Sequence, residues 1–325
     1  SDFVRLSGGR IRQAGSVRRS RLGVTLVSGS RQTEAGCDLS GDATGDFETG
    51  RAILSRLRER ILHVPEDPYL DYSTTPAESD SRAGSDLPDA REAVADLATA
   101  AAGMDLVGIW ASGDVHRGFA SSIGHRHWHQ SPSFNLDWSC YLRRDKALKD
   151  SYGGFAWSPQ RLRKKLDAMR RGLEIMARPA RTIAPGRYRA YLAPAAVQEL
   201  MDILAWGGFG LKDHRTAQTP LLRLARGERR LSPKVSLRED HGRGLTPGFT
   251  PEGFDLPRSV TLLEGGRFRD CLADSRAGKE YGVAVNAAGD YPESLSMDAG
   301  DLAAAEVPTS LGNGLFIGNL WYLNY

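Results

Sequence analysis

One stretch limits the folds open to this chain more than any other: Gly186 to Gly210, GRYRAYLAPAAVQELMDILAWGGFG. In its first part Tyr188, Ala190 and Leu192 alternate with Arg187, Arg189 and Tyr191, the period of two expected of a half-buried strand. Pro194 ends that strand. Beyond it Ala195, Val197, Leu200, Met201, Leu204 and Ala205 recur at helical spacing until Gly207 and Gly208 stop the helix. A strand that passes through one proline into a helix sets the helix's first turn at a sheet edge, a place where functional groups are often held.

The 325 residues suggest two domains, each large enough to bury a core without staples. Lysine and arginine total 43 against 40 acidic residues, a net charge of +3 that makes no strong case for a nucleic-acid partner. Cys37, Cys140 and Cys271 lie far apart, an odd set without CxxC spacing, which argues against a disulfide framework or a zinc ribbon and fits a reducing cytoplasm. No apolar run reaches the roughly 20 residues that a spanning helix needs, and no signal-type apolar core opens the chain, so no membrane role is expected. Ser1 in place of an initiator methionine, and the apolar LFIGNLWYLNY run up to Tyr325, read as the ends of a fragment.

Along the chain, residues 3–17 read as a hairpin turned at Gly8-Gly9, and 21–28 and 32–39 as two more strands turned at Ser28-Gly29-Ser30, together an antiparallel sheet. Asp46 is placed to cap a helix whose apolar stripe is Phe47, Leu54, Leu57 and Ile61, with Arg51, Arg56, Arg58 and Arg60 on a solvated face. Polar Tyr72 to Leu87 reads as a linker or mobile loop, then come a helix over 88–102 and strands over 105–112, 116–123 and 131–142. A basic helix over 159–177 carries Leu162, Leu166, Met169, Leu173 and Met176 inward. The expected class is α+β, with an N-terminal domain of antiparallel sheets and helices over 1–179. The remainder, 180–325, is expected to be a mostly-β, barrel- or sandwich-like domain. Its strands are placed at 218–222, 234–238, 258–263 and 268–272, the last after a turn at Glu264-Gly265-Gly266-Arg267.

The strongest candidate chemistry is His125, His127 and His129, which a strand would put on one face. Same-face neighbours on one strand sit about 6.5 to 7 Å apart, so convergence on one metal ion is a weak reading and a polar strand face near a cleft the better one. His116 and His214 are isolated and read as satisfied surface or loop residues. Ser139 and Cys140 lack any nucleophile-elbow or protease word around them. Cys140 reads as a packed apolar residue. Gly207-Gly208-x-Gly210 follows a helix instead of opening one, so it is a helix stop and not a phosphate cradle. The basic helix lacks interleaved aromatics and reads as solvated.

The Gly-x-Tyr strand, the Pro-Ala-Ala turn and the Leu-Met helix, with Phe254-Asp255, Leu263-Glu264-Gly265-Gly266 and Leu272 to Gly282, resemble the TldD/PmbA proteins, metallopeptidase-related "modulators of DNA gyrase". In the TldD branch this helix carries a His-Glu-x-x-x-His zinc motif. Matching the Leu200-Met201 pair puts the motif positions on Asp202, Ile203 and Gly207, while a shifted register onto Gln198-Glu199 keeps the glutamate and finds no histidine. The resemblance therefore implies the metal-free PmbA (TldE) branch, without a catalytic set or cofactor in this chain. Gln198, Glu199 and Asp202 become candidates for the lining of a substrate cleft. It further implies a cytoplasmic subunit of a peptidase assembly acting on unfolded peptides, with zinc in a TldD-type partner, as a hetero-oligomer or as a homodimer of this chain. The alternative is a non-enzymatic binding or regulatory module of the gyrase-modulator type.

Overall fold

The computed structural model describes residues 1–320 and Leu323, so the end of the expected terminal strand, residues 321, 322, 324 and 325, lies outside the described residues. Strand β1 (Asp2–Ser7) turns at Gly8 and Gly9, both left-handed, into β2 (Arg10–Ser16). Strands β3 (Arg21–Ser28) and β4 (Arg31–Asp38) turn at Gly29 and form a separate two-stranded sheet against helix α1 (Ala43–Arg60). The four strands thus do not share the one sheet expected, because the free edge of β1 is taken by a strand from much later in the chain. The cap of α1 is Asp42, accepting from the Gly45 amide. Asp46 instead reaches back to the Ser40 and Gly41 amides, contacts that hold its carboxyl below the usual range. The helix buries Ile53 and Leu57 while Phe47, expected inside, is 65% exposed.

The expected linker contains β5 (Glu78–Arg82), an exposed edge strand followed by α2 (Ala90–Ala100). Next come β6 (Asp105–Ala120) and β7 (Arg126–Arg143), paired over 16 successive residue pairs in one long hairpin where three shorter strands were expected. Strand β8 (Lys146–Gly154) pairs with the distal half of β7, and β5 runs parallel to its proximal half. The resulting six-stranded sheet has the order β2-β1-β6-β7-β5, with β8 on β7. Helix α3 (Pro159–Met176), capped by Ser158, packs with α2 on one face of this sheet. Between them lies the first core, in which Leu106, Trp110, Leu136, Trp138, Leu162 and Leu166 are at most 2% exposed.

The second half is built from short pieces: β9 (Ala190–Leu192), α4 (Pro194–Gly208), α5 (Leu211–Arg215), α6 (Leu222–Ala225), β10 (Leu237–Glu239), β11 (Val260–Glu264) and β12 (Arg267–Phe268), then α7 (Ser275–Tyr281), β13 (Leu295–Met297), α8 (Val307–Leu311) and β14 (Leu315–Ile317). Strands β12-β11-β10-β13 make a four-stranded open sheet and β14 pairs in parallel with β9, with no closed barrel among the described residues. Residues expected as strand at 218–222 form a turn leading into α6, and the strand expected over 268–272 leaves the ladder after Phe268. The turn at Gly265-Gly266 is as read: both residues have positive φ (56° and 73°), the geometry a two-residue hairpin requires. The α+β class holds for the whole chain. A second core gathers Phe209, Leu237, Leu262, Leu263 and Leu272, with Met201 and Leu204 of α4 packed on it.

Candidate functional site

The stretch from Gly186 forms less strand and more corner than its alternation suggests. Only Ala190–Leu192 enters a ladder, and Pro194 opens α4 at its first turn, where a missing N–H costs nothing. The helix turns Ala196 fully inward and Met201 and Leu204 onto the second core, which leaves Gln198 and Asp202, one turn apart, facing out. Leu200, on the expected apolar stripe, is 37% exposed. At Trp206 and Gly207 the backbone leaves the helix (Gly207 φ 73°), and Gly210 precedes the short α5, so the glycine run both stops one helix and leads into the next. His214 in α5 contacts the Gly208 carbonyl through Nε2 at 2.8 Å, the satisfied role expected of it.

Beneath α4 lies a cleft of about 560 Å³. Leu192, Val197 and Met201 form one side, Leu245 and Leu295 the other, and Gln198, Asp202 and Glu293 are among its polar side chains. Of the three residues the sequence proposed for a cleft, Gln198 and Asp202 line this one together and Glu199 does not.

The wall carrying Glu293 and Ser294 is held by a residue the sequence reading passed over. Glu239 at the end of β10 is 1% exposed, and its Oε1 accepts from the backbone N–H of Glu293 (3.1 Å) and Ser294 (2.8 Å). Its Oε2 has no partner among the described residues, and burial raises its carboxyl above the usual range, opposed by the Ser294 amide and by His241, whose Nε2 lies 3.6 Å away. The Pro257 carbonyl can only accept, so His241 Nδ1 carries the proton in that 2.8 Å contact. A buried acid in an otherwise half-buried Arg-Glu-Asp run has no local sequence signal, because its purpose is set by the loop at 293–294.

The three histidines are placed differently from the polar strand face expected. His125, His127 and His129 are 1%, 4% and 3% exposed, pointing from β7 and its preceding turn into the second half of the chain. The rings of His125 and His127 stack with centroids 6.0 Å apart instead of converging, and among the described residues no group of three His, Cys, Asp or Glu side chains could hold a metal ion. His116 lies tilted against the exposed Trp128 (5.6 Å between centroids), and Cys140 is buried in the sheet with its thiol pushed up to about 12 by burial, unfit as a nucleophile.

A mixed α+β chain with this order of sheets and this helix corner has close structural counterparts. It aligns with TldE from Thermococcus kodakarensis at a TM-score of 0.73 and 13% identity, over 99% of this chain and 77% of that one. A candidate modulator of a DNA gyrase from Thermotoga maritima gives 0.73 at 16% identity, over 98% and 76%. A candidate modulator of DNA gyrase from Bacteroides thetaiotaomicron gives 0.68 at 15%, over 97% and 74%. At such identities the likeness is one of fold. In sequence, residues 185–324 match the PmbA/TldA metallopeptidase C-terminal domain. The second half of the chain thus carries the C-terminal domain of the PmbA/TldD proteins, and the chain as a whole shares their fold. No curated protein matches it, and among the described residues no helix is long and apolar enough to cross a membrane.

Proposed function

We propose that this chain is the PmbA/TldE-like, zinc-free subunit of a metallopeptidase assembly that cleaves unfolded peptides, its TldD-type partner holding the zinc. The observation that carries this reading is the make-up of α4. The positions that resemblance assigns to the metal motif hold Asp202, Ile203 and Gly207, and neither isoleucine nor glycine offers a ligating or basic atom. What α4 does present to the cleft, Gln198 and Asp202 above an apolar floor, suits holding a peptide. Backbone pairing of the peptide along the short sheets would supply affinity without side-chain readout.

The test is a cleavage assay on unfolded peptides with the chain alone and with a TldD-type partner, together with metal analysis of the dialysed chain. The expected result is no stoichiometric zinc, no cleavage alone and cleavage by the pair. Chelator-resistant cleavage by the chain alone, or about one bound zinc per chain, would sink the reading. A non-catalytic regulatory role is the second reading, favoured by the gyrase-modulator names of two structural counterparts. It predicts that the chain binds duplex DNA at low salt and releases it steeply as salt rises.

A further inference from the structure

We propose that the row His125, His127 and His129 is a pH-sensitive joint: neutral, it seals the six-stranded sheet against residues 244–254, and protonated, it releases them. The row sits where the proximal half of β7 leaves the first core and meets the second half of the chain. Opposite it lie Phe249, whose ring stacks on His127 at 4.8 Å, and Gly253, where a Cβ would come within 3.2 Å of the His125 ring. Phe119 of β6 lies 5.7 Å from His125 and 6.1 Å from His127, centroid to centroid.

The hydrogen bonds around the row suit uncharged imidazoles. His125 contacts Ser121 Oγ through Nδ1 (2.7 Å) and Ser73 Oγ through Nε2 (3.2 Å). Because Ser73 Oγ donates to the Thr75 carbonyl, it accepts from His125 Nε2–H, and Ser121 donates to Nδ1. His127 Nδ1 contacts Ser79 Oγ at 2.8 Å, while the buried Nε2 atoms of His127 and His129 have no hydrogen-bond partner among the described residues. A proton added there would be a buried charge without a counter-ion.

The titratable groups on every element packed against the row are engaged elsewhere. On β5, Asp80 holds Arg82 (2.7 Å) and Glu78 faces Arg126 (3.9 Å). On β6, Arg117 faces His129, and its charge adds to the burial that already holds that imidazole below its ordinary range. Asp67 pairs with Arg276 and Asp71 with Lys279. In the 241–252 segment, Arg243 pairs with Asp240 (3.2 Å), His241 faces Glu239 and the Pro257 carbonyl, and Glu252, raised by burial, bonds Thr250. Protonation is therefore met by one cation and by neighbouring imidazoles, with the nearby Gly244 backbone as the partial offset at His129.

The joint reaches the cleft in one step of chain, since the Gly244 backbone faces His129 and Leu245 lines the cleft beneath α4. Each imidazole whose proton affinity is lowered by folding stabilises the closed joint above its unfolded value of about 6.5, and that contribution is lost as pH falls below it. Hydrogen exchange of the intact chain, corrected for intrinsic rates, tests this. Between about pH 7.5 and about pH 5, protection of amides 244–254 should fall by more than about tenfold while that of β1 and β6 stays constant. In His127→Phe/His129→Gln the difference should vanish. Equal protection at both pH values, or the same loss in the double variant, overturns the proposal. If the double variant does not fold, an imidazole titration of the unmodified protein by NMR decides: His129 titrating at or above about 6.5 overturns the joint, and titrating below it supports it.

Discussion

The two halves of this chain solve the same problem with different means. The first uses length: strands of 16 and 18 residues and an 18-residue helix close a core of large side chains whose pattern repeats often enough to set its own register. The second uses strands of two to five residues, too short to specify pairing, and fixes its loops with single polar anchors. Glu239 holds the 293–294 backbone, Asp274 caps α7, and Asn286 takes the Ala273 amide (2.8 Å) and gives to the Cys271 carbonyl (3.0 Å). Long elements distribute the load over many weak contacts. Anchored loops concentrate it.

The largest expected effect tests whether the two cores are nonetheless one cooperative unit. Leu166→Ala in the first core and Leu262→Ala in the second, both fully buried, should each cost about 3 kcal/mol. Calorimetry should show each substitution lowering a shared transition. Two transitions, each moved by one variant only, would break the comparison into two independent bodies.

Next in size is Asn286→Ala, which leaves the Ala273 amide and Cys271 carbonyl without their side-chain partner and should cost about 2 kcal/mol in a urea titration. A cost indistinguishable from zero would show that the anchors are dispensable.

Glu239→Gln should produce a smaller change whose size depends on pH. Folding raises the affinity of Glu239 for its proton, so the native state binds more protons and the charged carboxylate is a penalty at neutral pH. That penalty is relieved as pH falls through the folded value towards the unfolded one, so the wild type should gain on the variant on acidification from about pH 7 to about pH 4. Parallel pH curves for the two proteins would exclude a raised carboxyl. The smallest effect belongs to Leu200→Ala, under about 1 kcal/mol, since the side chain is 37% exposed. A cost like that of Leu166 would mean that α4 sits in another rotation.

What was legible in the sequence follows the same division. The α3 stripe of Leu162, Leu166 and Met169 and the paired glycines at 265–266 were readable because a periodic run or a φ requirement is local. Helix α4 was readable as a helix, but Leu200 points outward because helical spacing states that there is a face, not which neighbour covers it. The β5 strand was hidden in polar residues, since an exposed parallel edge has nothing to bury. Gln198 and Asp202, candidates that the resemblance implied, line the cleft beneath α4, whereas Glu239 depends on backbone more than 50 positions further on and the sealed histidine row on Phe249 in the other half of the chain.

The β6–β7 hairpin has a consequence for the order in which the protein assembles. Its 16 pairs close around a turn of a few residues, so its contacts are local along the chain and form early. Residues 244–254 are made later, and until they dock, the three imidazoles stand in water and not against Phe249 and Gly253. A chain refolding in acid should therefore complete its long sheet at the usual speed and stall at the last assembly step, with the stall lifting as the medium is neutralised. Stopped-flow refolding followed by two probes, one in each half, would separate these phases. A pH effect on the early phase in place of the late one would contradict this order.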